Sequence, residues 1–241
     1  MRLRLAACAA VLAAAGLAAA PTSATAEPVD VPGAEMLDGY LGNCLALVPG
    51  HLELGTTAVD LDVRVLLHGA TRETARSAVQ SMRKAYEPLG ITVKASYETV
   101  SFSGNEAESL IAQAKAHYGG ERPSGIDIVY VLSEQDVTGG AYGGSLAGLA
   151  DCLGGVRFDD RAFAVGEVTP DEQTPEGTGK TMAHEIGHLL GAHHHYASPE
   201  GLLADDPNVL SLMSPDIGLG SLRFSTLESA VVKGYAARHA R

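Results

Sequence analysis

Basic residues are scarce in this sequence: 17 lysines and arginines stand against 29 aspartates and glutamates, for a formal charge of −12 over 241 residues. Nowhere do they gather into a patch, so the chain has nothing with which to grip nucleic acid phosphates or an anionic membrane surface, and neither partner is expected. Cysteine is scarcer still, with 3 in the whole chain. There is no internal repeat, and beyond the N-terminal run no apolar stretch is long enough to cross a bilayer. The expected state is a monomer in solution.

What is there begins with a leader. MRLRLAACAAVLAAAGLAAAPTSATA carries Arg2 and Arg4, then an alanine- and leucine-rich run, then small residues ending at Ala24-Thr25-Ala26. This is the layout of a secretory signal peptide over 1–26, of a bacterial kind, cut before Glu27, and it predicts an extracellular protein. Interrupted by Gly16, the run makes a poor membrane anchor. Cys8 mimics a lipoprotein box, but the apolar run follows that cysteine instead of preceding it. Loss of the leader takes the formal charge from −12 to about −14. It also leaves Cys44 and Cys152, an even pair that reads as one disulfide in an oxidising compartment.

Residues 27–57, rich in proline and glycine, read as an extended lead-in, and the regular domain occupies 58–241. AVDLDVRVLLHG alternates as a half-buried strand does. TRETARSAVQSMRKAYEPLG places Ala75, Val79, Met82 and Tyr86 on one helical face and stops at Pro88 and Gly90. ITVKASYETVSF predicts a second strand. NEAESLIAQAKAHYGG predicts a helix capped by Asn105 and ended at Gly119. IDIVYVLS predicts a buried strand. Strand, helix, strand, helix, strand implies a largely parallel α/β sheet with crossover helices. The glycine-rich TGGAYGGSLAGLADCLGG fits a loop feeding an irregular edge strand. RAFAVGEV follows as a short strand and KTMAHEIGHLLG as a helix. The last helix, FSTLESAVVKGYAARH, starts with Ser225 as N-cap and Glu228 completing a capping box. GTGKT at 177–181 lacks the earlier glycine of a phosphate-binding loop, since residue 174 is Thr174.

HEIGHLLGAHHHY, residues 184–196, concentrates the histidines. His184 and His188, four apart on a helix, share one face at about 6 Å along the axis, a spacing at which two neutral imidazoles bind one zinc ion. Glu185 lies at the edge of that face, near enough to touch a metal-held water without being a ligand. A helix continued to residue 194 would turn about 600° from His188 and carry it to the far side. The helix must therefore end between them, and Gly191 can end it because glycine accepts the left-handed conformation of a helix stop. In an extended continuation His194 then faces the metal while His193 and His195 point away.

With those residues in place, H184-E-I-G-H188-L-L-G191-A-H-H194 resembles HExxHxxGxxH, the extended zinc signature of the metzincin metallopeptidases. Met213 in SLMSP, nineteen residues after His194, resembles the methionine of the family's turn beneath the metal. The order of DIVYVLS, GGSLAGLADC, AFAVGEV and FSTLESA is similar to the reprolysin or adamalysin branch, over roughly 58–240. Three departures stand out: His195 where that branch usually has aspartate, Ser211 where its Met-turn usually has cysteine, and Pro215 where the tyrosine ligand of astacins and serralysins would fall.

The resemblance implies a metzincin-like α/β (α+β) fold: a mixed, mostly parallel twisted sheet, two helices, an active-site helix, a Met-turn and a C-terminal helix. It further implies one catalytic Zn2+ held by His184, His188 and His194, with Glu185 as general base in the hydrolysis of peptide bonds, and Met213 as a packing floor. Protein or peptide substrate in extended form would add as a strand along Gly144, Ser145, Leu146, Ala147 and Gly148, whose small residues let another backbone approach. Cys44 is either the disulfide partner of Cys152 or, as in family pro-segments, a thiolate stopper on the zinc. Structural calcium finds no support, since Asp205-Asp206 falls far short of the six to eight oxygens needed. The competing function is a latent or non-catalytic extracellular zinc protein that binds a partner.

Overall fold

The period-two pattern of VDLDVRVLLH forms a ten-residue strand, β1 (Val59–His68). The computed structural model describes residues 58–139, 144–169, 176–194, 211–214 and 222–240. Cys44, His195, Asp205, Asp206 and Pro215 lie outside the described residues, as do the leader and the lead-in. After β1 come α1 (Arg72–Tyr86), β2 (Ile91–Val100), α2 (Ala107–His117) and β3 (Ile128–Ser133). Three short strands follow, β4 (Val137–Thr138), β5 (Ser145–Leu146) and β6 (Gly148–Ala150), then β7 (Phe163–Glu167), α3 (Gly177–Leu189) and α4 (Thr226–His239).

The main sheet runs β2-β1-β3-β7-β6. Its first four strands are parallel, and β6 closes one edge antiparallel to β7. β4 and β5 form a separate antiparallel pair. The helical crossovers expected from the order of elements thus build the expected mixed, mostly parallel sheet.

Alternation in β3 divides the core in two. Ile128, Tyr130 and Leu132 join one cluster with Leu61, Val63 and Val65 of β1, under the buried faces of α1, α3 and α4. Val129 and Val131 join the other, with Phe163 and Val165, under Leu110, Ile111 and Ala114 of α2. A strand buried on both faces has no polar side to display, which is why IVYVL runs apolar without a break before Ser133. Burying each such aliphatic side chain contributes about 1.5–3 kcal/mol.

Local signals account for the helix ends. Thr71 caps α1 by accepting the N–H of Thr74 at 3.1 Å. Ser225 and Glu228 form the expected capping box on α4. Asn105 does not cap α2: the N-cap is Glu106 with no side-chain bond. The Asn105 amide instead donates to the carbonyl of Asp136 at 2.7 Å, tying the loop before α2 to the turn after β3. Helix α3 begins at Gly177 and not at Lys180. Its first turn is glycine-rich because it packs on α1, where a Cβ on Gly179 would lie 2.3 Å from that of Ser81. Among the described residues no helix is long and apolar enough to cross a membrane.

Candidate metal centre

Helix α3 carries His184, Glu185 and His188 into the interior, where they are 3%, 4% and 2% exposed. The helix is held from α1 by Tyr86, whose buried hydroxyl donates to the carbonyl of Ala183 at 2.7 Å, one residue before the first histidine. Past Leu189 the chain ends its helix as the sequence requires. Gly191 has φ +86°, its N–H bonds to the carbonyl of His188 at 2.9 Å, and that of Ala192 reaches back to Gly187 at 2.9 Å. This is a Schellman stop, with glycine in the left-handed position. A Cβ there would also stand 2.7 Å from the ring of Tyr235 in α4, so α4 packs onto the point where the chain turns.

The turn delivers His194. The Nε2 atoms of the three histidines converge: 3.0 Å from His184 to His188, 3.2 Å from His188 to His194 and 3.3 Å from His184 to His194. On the opposite side of the ring, His184 Nδ1 lies 2.8 Å from the carbonyl of Leu212 and His188 Nδ1 lies 2.7 Å from that of Ala192. A carbonyl can only accept, so the proton of each of these two rings is on Nδ1 and each Nε2 presents a lone pair.

Burial also keeps the rings neutral, pushing His184 down to about 4 and His194 to about 3, and lowering His188 well below the usual histidine range. Neutral nitrogens meeting lone pair to lone pair repel unless they share a cation. Tetrahedral zinc with bonds of 2.0–2.1 Å places its nitrogen ligands about 3.3 Å apart, and the observed triangle fits. His184, His188 and His194 are the group that fits one zinc ion. His193, half-buried, is not part of it.

Glu185, one residue after His184, packs against β6. Burial pushes its carboxyl up to about 8, and a hydrogen bond from the backbone N–H of Ala150 opposes that rise. Gly148, in the same strand, explains the proximity: a Cβ there would lie 2.8 Å from Glu185 Cγ, 2.9 Å from its Oε1 and 2.9 Å from Thr181 Cγ2. Its cross-strand partner Gly166 makes the same allowance for Thr181, at 3.0 Å.

The glycine at 148 therefore answers to the carboxylate beneath the sheet, a reason that spacing along the chain did not disclose. The stretch 144–148 is also less uniform than a single edge. Ser145 and Leu146 pair with β4, and the chain joins β7 of the main sheet from the Ala147 carbonyl onward. A second glycine whose reason was hidden is Gly187, where a Cβ would lie 2.8 Å from Met213 Sδ. Met213 is fully buried, with its sulfur packed against Gly187 of α3.

Fold and site together resemble those of the metzincin-like metallopeptidases. Residues 78–195 match the family described as Metallo-peptidase family M12B Reprolysin-like. Among solved structures, metalloproteinase-II from Bacteroides fragilis aligns with a TM-score of 0.53 at 18% identity, over 80% of this chain. The chain spans 59% of that protein's length. Archaemetzincin from Methanopyrus kandleri aligns with a TM-score of 0.50 at 18% identity, over 77% of this chain and 99% of its own. At these identities the likeness is one of fold. No curated protein matches the sequence.

Proposed function

We propose that the chain is a secreted zinc endopeptidase in which Glu185 is the general base. The observation that carries this reading is a carboxylate buried one residue from His184 on the helix that carries two of the three converging imidazoles, hydrogen-bonded by the antiparallel edge strand. A zinc site that served structure alone would have no use for such a group. When bound, zinc polarises the scissile carbonyl and eases ionisation of the hydrolytic water.

The chain's own residues do the rest. His184, His188 and His194 hold the ion, with two of their rings oriented by backbone carbonyls. Glu185 accepts a proton from the attacking water and returns it to the departing amine, so no covalent acyl intermediate arises. Ala150 N–H fixes the carboxylate against β6.

The carbonyl of Ala147 and the N–H of Asp151 bond inward to β7. Strict alternation then turns the backbone of Gly148 to the free edge. An extended protein or peptide substrate adds there as one more strand, directly above the base. The proposal includes a signal peptide over 1–26, a lead-in over 27–57 and a catalytic domain over 58–241, acting as a monomer. It also includes a disulfide between Cys44 and the buried Cys152, which free-thiol counting on the secreted protein tests.

Purified protein and a Glu185→Gln variant of equal zinc content decide the main reading. The parent cleaves an unfolded protein and is stopped by a chelator, while the variant loses about 10²–10⁴-fold in rate. Equal cleavage by both removes Glu185 from the mechanism. No cleavage by either, at full zinc, points to a latent or non-catalytic zinc protein.

A further inference from the structure

His188 and His184 are oriented by different kinds of partner. The carbonyl that receives the His188 proton belongs to Ala192, inside the same helix stop, and is held by local bonds. The carbonyl that receives the His184 proton belongs to Leu212, 28 residues away in the chain. What holds Leu212 therefore holds a zinc ligand.

The turn 211–214 is pinned from two sides. The N–H of Leu212 donates to the carbonyl of Arg223 at 2.7 Å, and that of Ser214 to the carbonyl of Ser211 at 3.2 Å. The Ser211 hydroxyl accepts the N–H of Met213 at 3.1 Å and donates to Glu228 Oε1 at 3.0 Å. Glu228 Oε2 in turn accepts the N–H of Ser225 at 2.7 Å, closing the capping box of α4. Ser211 and Glu228 are each 3% exposed, so water does not compete for these bonds. One carboxylate thus serves two ends, the start of α4 with one oxygen and the turn beneath the metal with the other. A bond to a carboxylate is roughly twice as strong as one between neutral groups, and a serine hydroxyl both gives and accepts at once.

We propose that Ser211 and Glu228 are positioning residues for His184: they extend the capping box of α4 through the Met-turn to the Leu212 carbonyl and so set the orientation of one zinc ligand. This rests on the reading of the three histidines as a zinc site. It does not rest on proteolysis. Partners that orient metal-bound histidines through hydrogen bonds typically account for 10- to 100-fold in metal affinity.

The test uses the full chain and reads the zinc dissociation constant by competition with a chromophoric chelator, well below the melting temperature of every variant. Ser211→Ala is expected to weaken zinc about tenfold or more. Ser211→Thr, which restores the hydroxyl, returns the affinity to within about threefold of the parent. Glu228→Ala weakens it in the same direction, and the double variant is no weaker than the weaker single, since the two act through one connection. Because Glu228→Ala also strips the cap of α4, Ser211→Ala decides alone if that variant does not fold.

Visible absorption of the cobalt-loaded protein changes in Ser211→Ala, because the His184 ring is reoriented. It does not change in Gly119→Ala, which strains a remote turn (φ +79°). A folded Ser211→Ala that binds zinc as the parent does, with the parent's cobalt spectrum, overturns the proposal. A parent chain that binds no zinc overturns the metal reading itself, and the two failures differ in whether the parent binds.

Discussion

Gly148→Ala is the sharpest perturbation the geometry offers, because it adds one methyl group facing the proposed base and nothing else. Its backbone is not in the left-handed region, so alanine is conformationally acceptable and any effect comes from contact. The new Cβ would stand 2.8 Å from Glu185 Cγ and 2.9 Å from both Glu185 Oε1 and Thr181 Cγ2. Ordinary carbon contacts lie at about 3.5–4.0 Å, so either the carboxylate or the helix must yield by roughly 0.7 Å.

Two magnitudes follow. Overpacking of this kind costs about 1–3 kcal/mol, which lowers the melting temperature by about 2–4 °C per kcal/mol in a chain of this size. Displacement of a catalytic group by a fraction of an ångström to 1 Å costs on the order of 100-fold in rate. The zinc ligands do not lie against Gly148, so metal content should not change. The assay pairs kcat on a quenched fluorescent peptide with zinc per chain and thermal unfolding. Gly119→Ala is the control: its left-handed backbone (φ +79°) makes alanine cost about 1–2 kcal/mol, yet nothing lies within 4 Å of the added Cβ. Gly148→Ala retaining kcat within about threefold of this control, at equal zinc, would refute the placement of Glu185 as base.

Gly191→Ala meets both penalties at once, a left-handed backbone at φ +86° and a Cβ 2.7 Å from the Tyr235 ring. The expected loss is about 2–5 kcal/mol of stability in denaturant unfolding, together with weaker zinc binding because His194 hangs from this turn. Acid should destabilise the metal-free protein through its buried histidines. His184 and His194 are held near 4 and 3 in the folded chain, against an ordinary value of about 6.5 unfolded. The unfolded state therefore takes up protons first: the contribution of these two rings is steady above about pH 6.5 and falls as the pH drops toward the folded values, by about 1.4 kcal/mol per histidine at pH 5.5, while the raised carboxyl of Glu185 works in the opposite direction. Urea unfolding of the metal-free Glu185→Gln protein, which lacks the opposing carboxyl, at pH 7.5 and 5.5 measures it, and an unchanged midpoint would contradict the burial of these rings.

How much of this was legible in the sequence depends on whether a feature is local. The helical spacing of His184 and His188, the stop at Gly191 and the capping box of Ser225 and Glu228 are all written within a few residues of one another, and all stand in the structure. Period two in β1 and the unbroken apolar run of β3 likewise announce one strand buried on alternate positions and one buried on both faces. Contacts between elements were not legible, and the hardest were those made by glycine, whose missing side chain leaves no periodic trace. Gly148, Gly179 and Gly187 each mark a place where another element comes too close for a Cβ: the proposed base, helix α1, and the Met213 sulfur. Asn105 is not the cap because the helix starts one residue later, with Glu106 at the N-cap position, and the Asn105 amide instead donates across the turn to the Asp136 carbonyl.

The same distinction separates the two halves of the site. Which atoms face the metal follows from 3.6 residues per turn and one left-handed glycine, so an 11-residue motif suffices to name them. How firmly they face it depends on carbonyls contributed by the helix stop and by the turn 211–214, and on Tyr86 reaching across from α1 to the Ala183 carbonyl. Substitution of any of the three histidines should therefore remove the site outright. Substitutions in the partners should leave it assembled but looser, with metal affinity falling before the fold does. A Tyr86→Phe chain, which loses one hydroxyl and keeps its volume, falls in the second group.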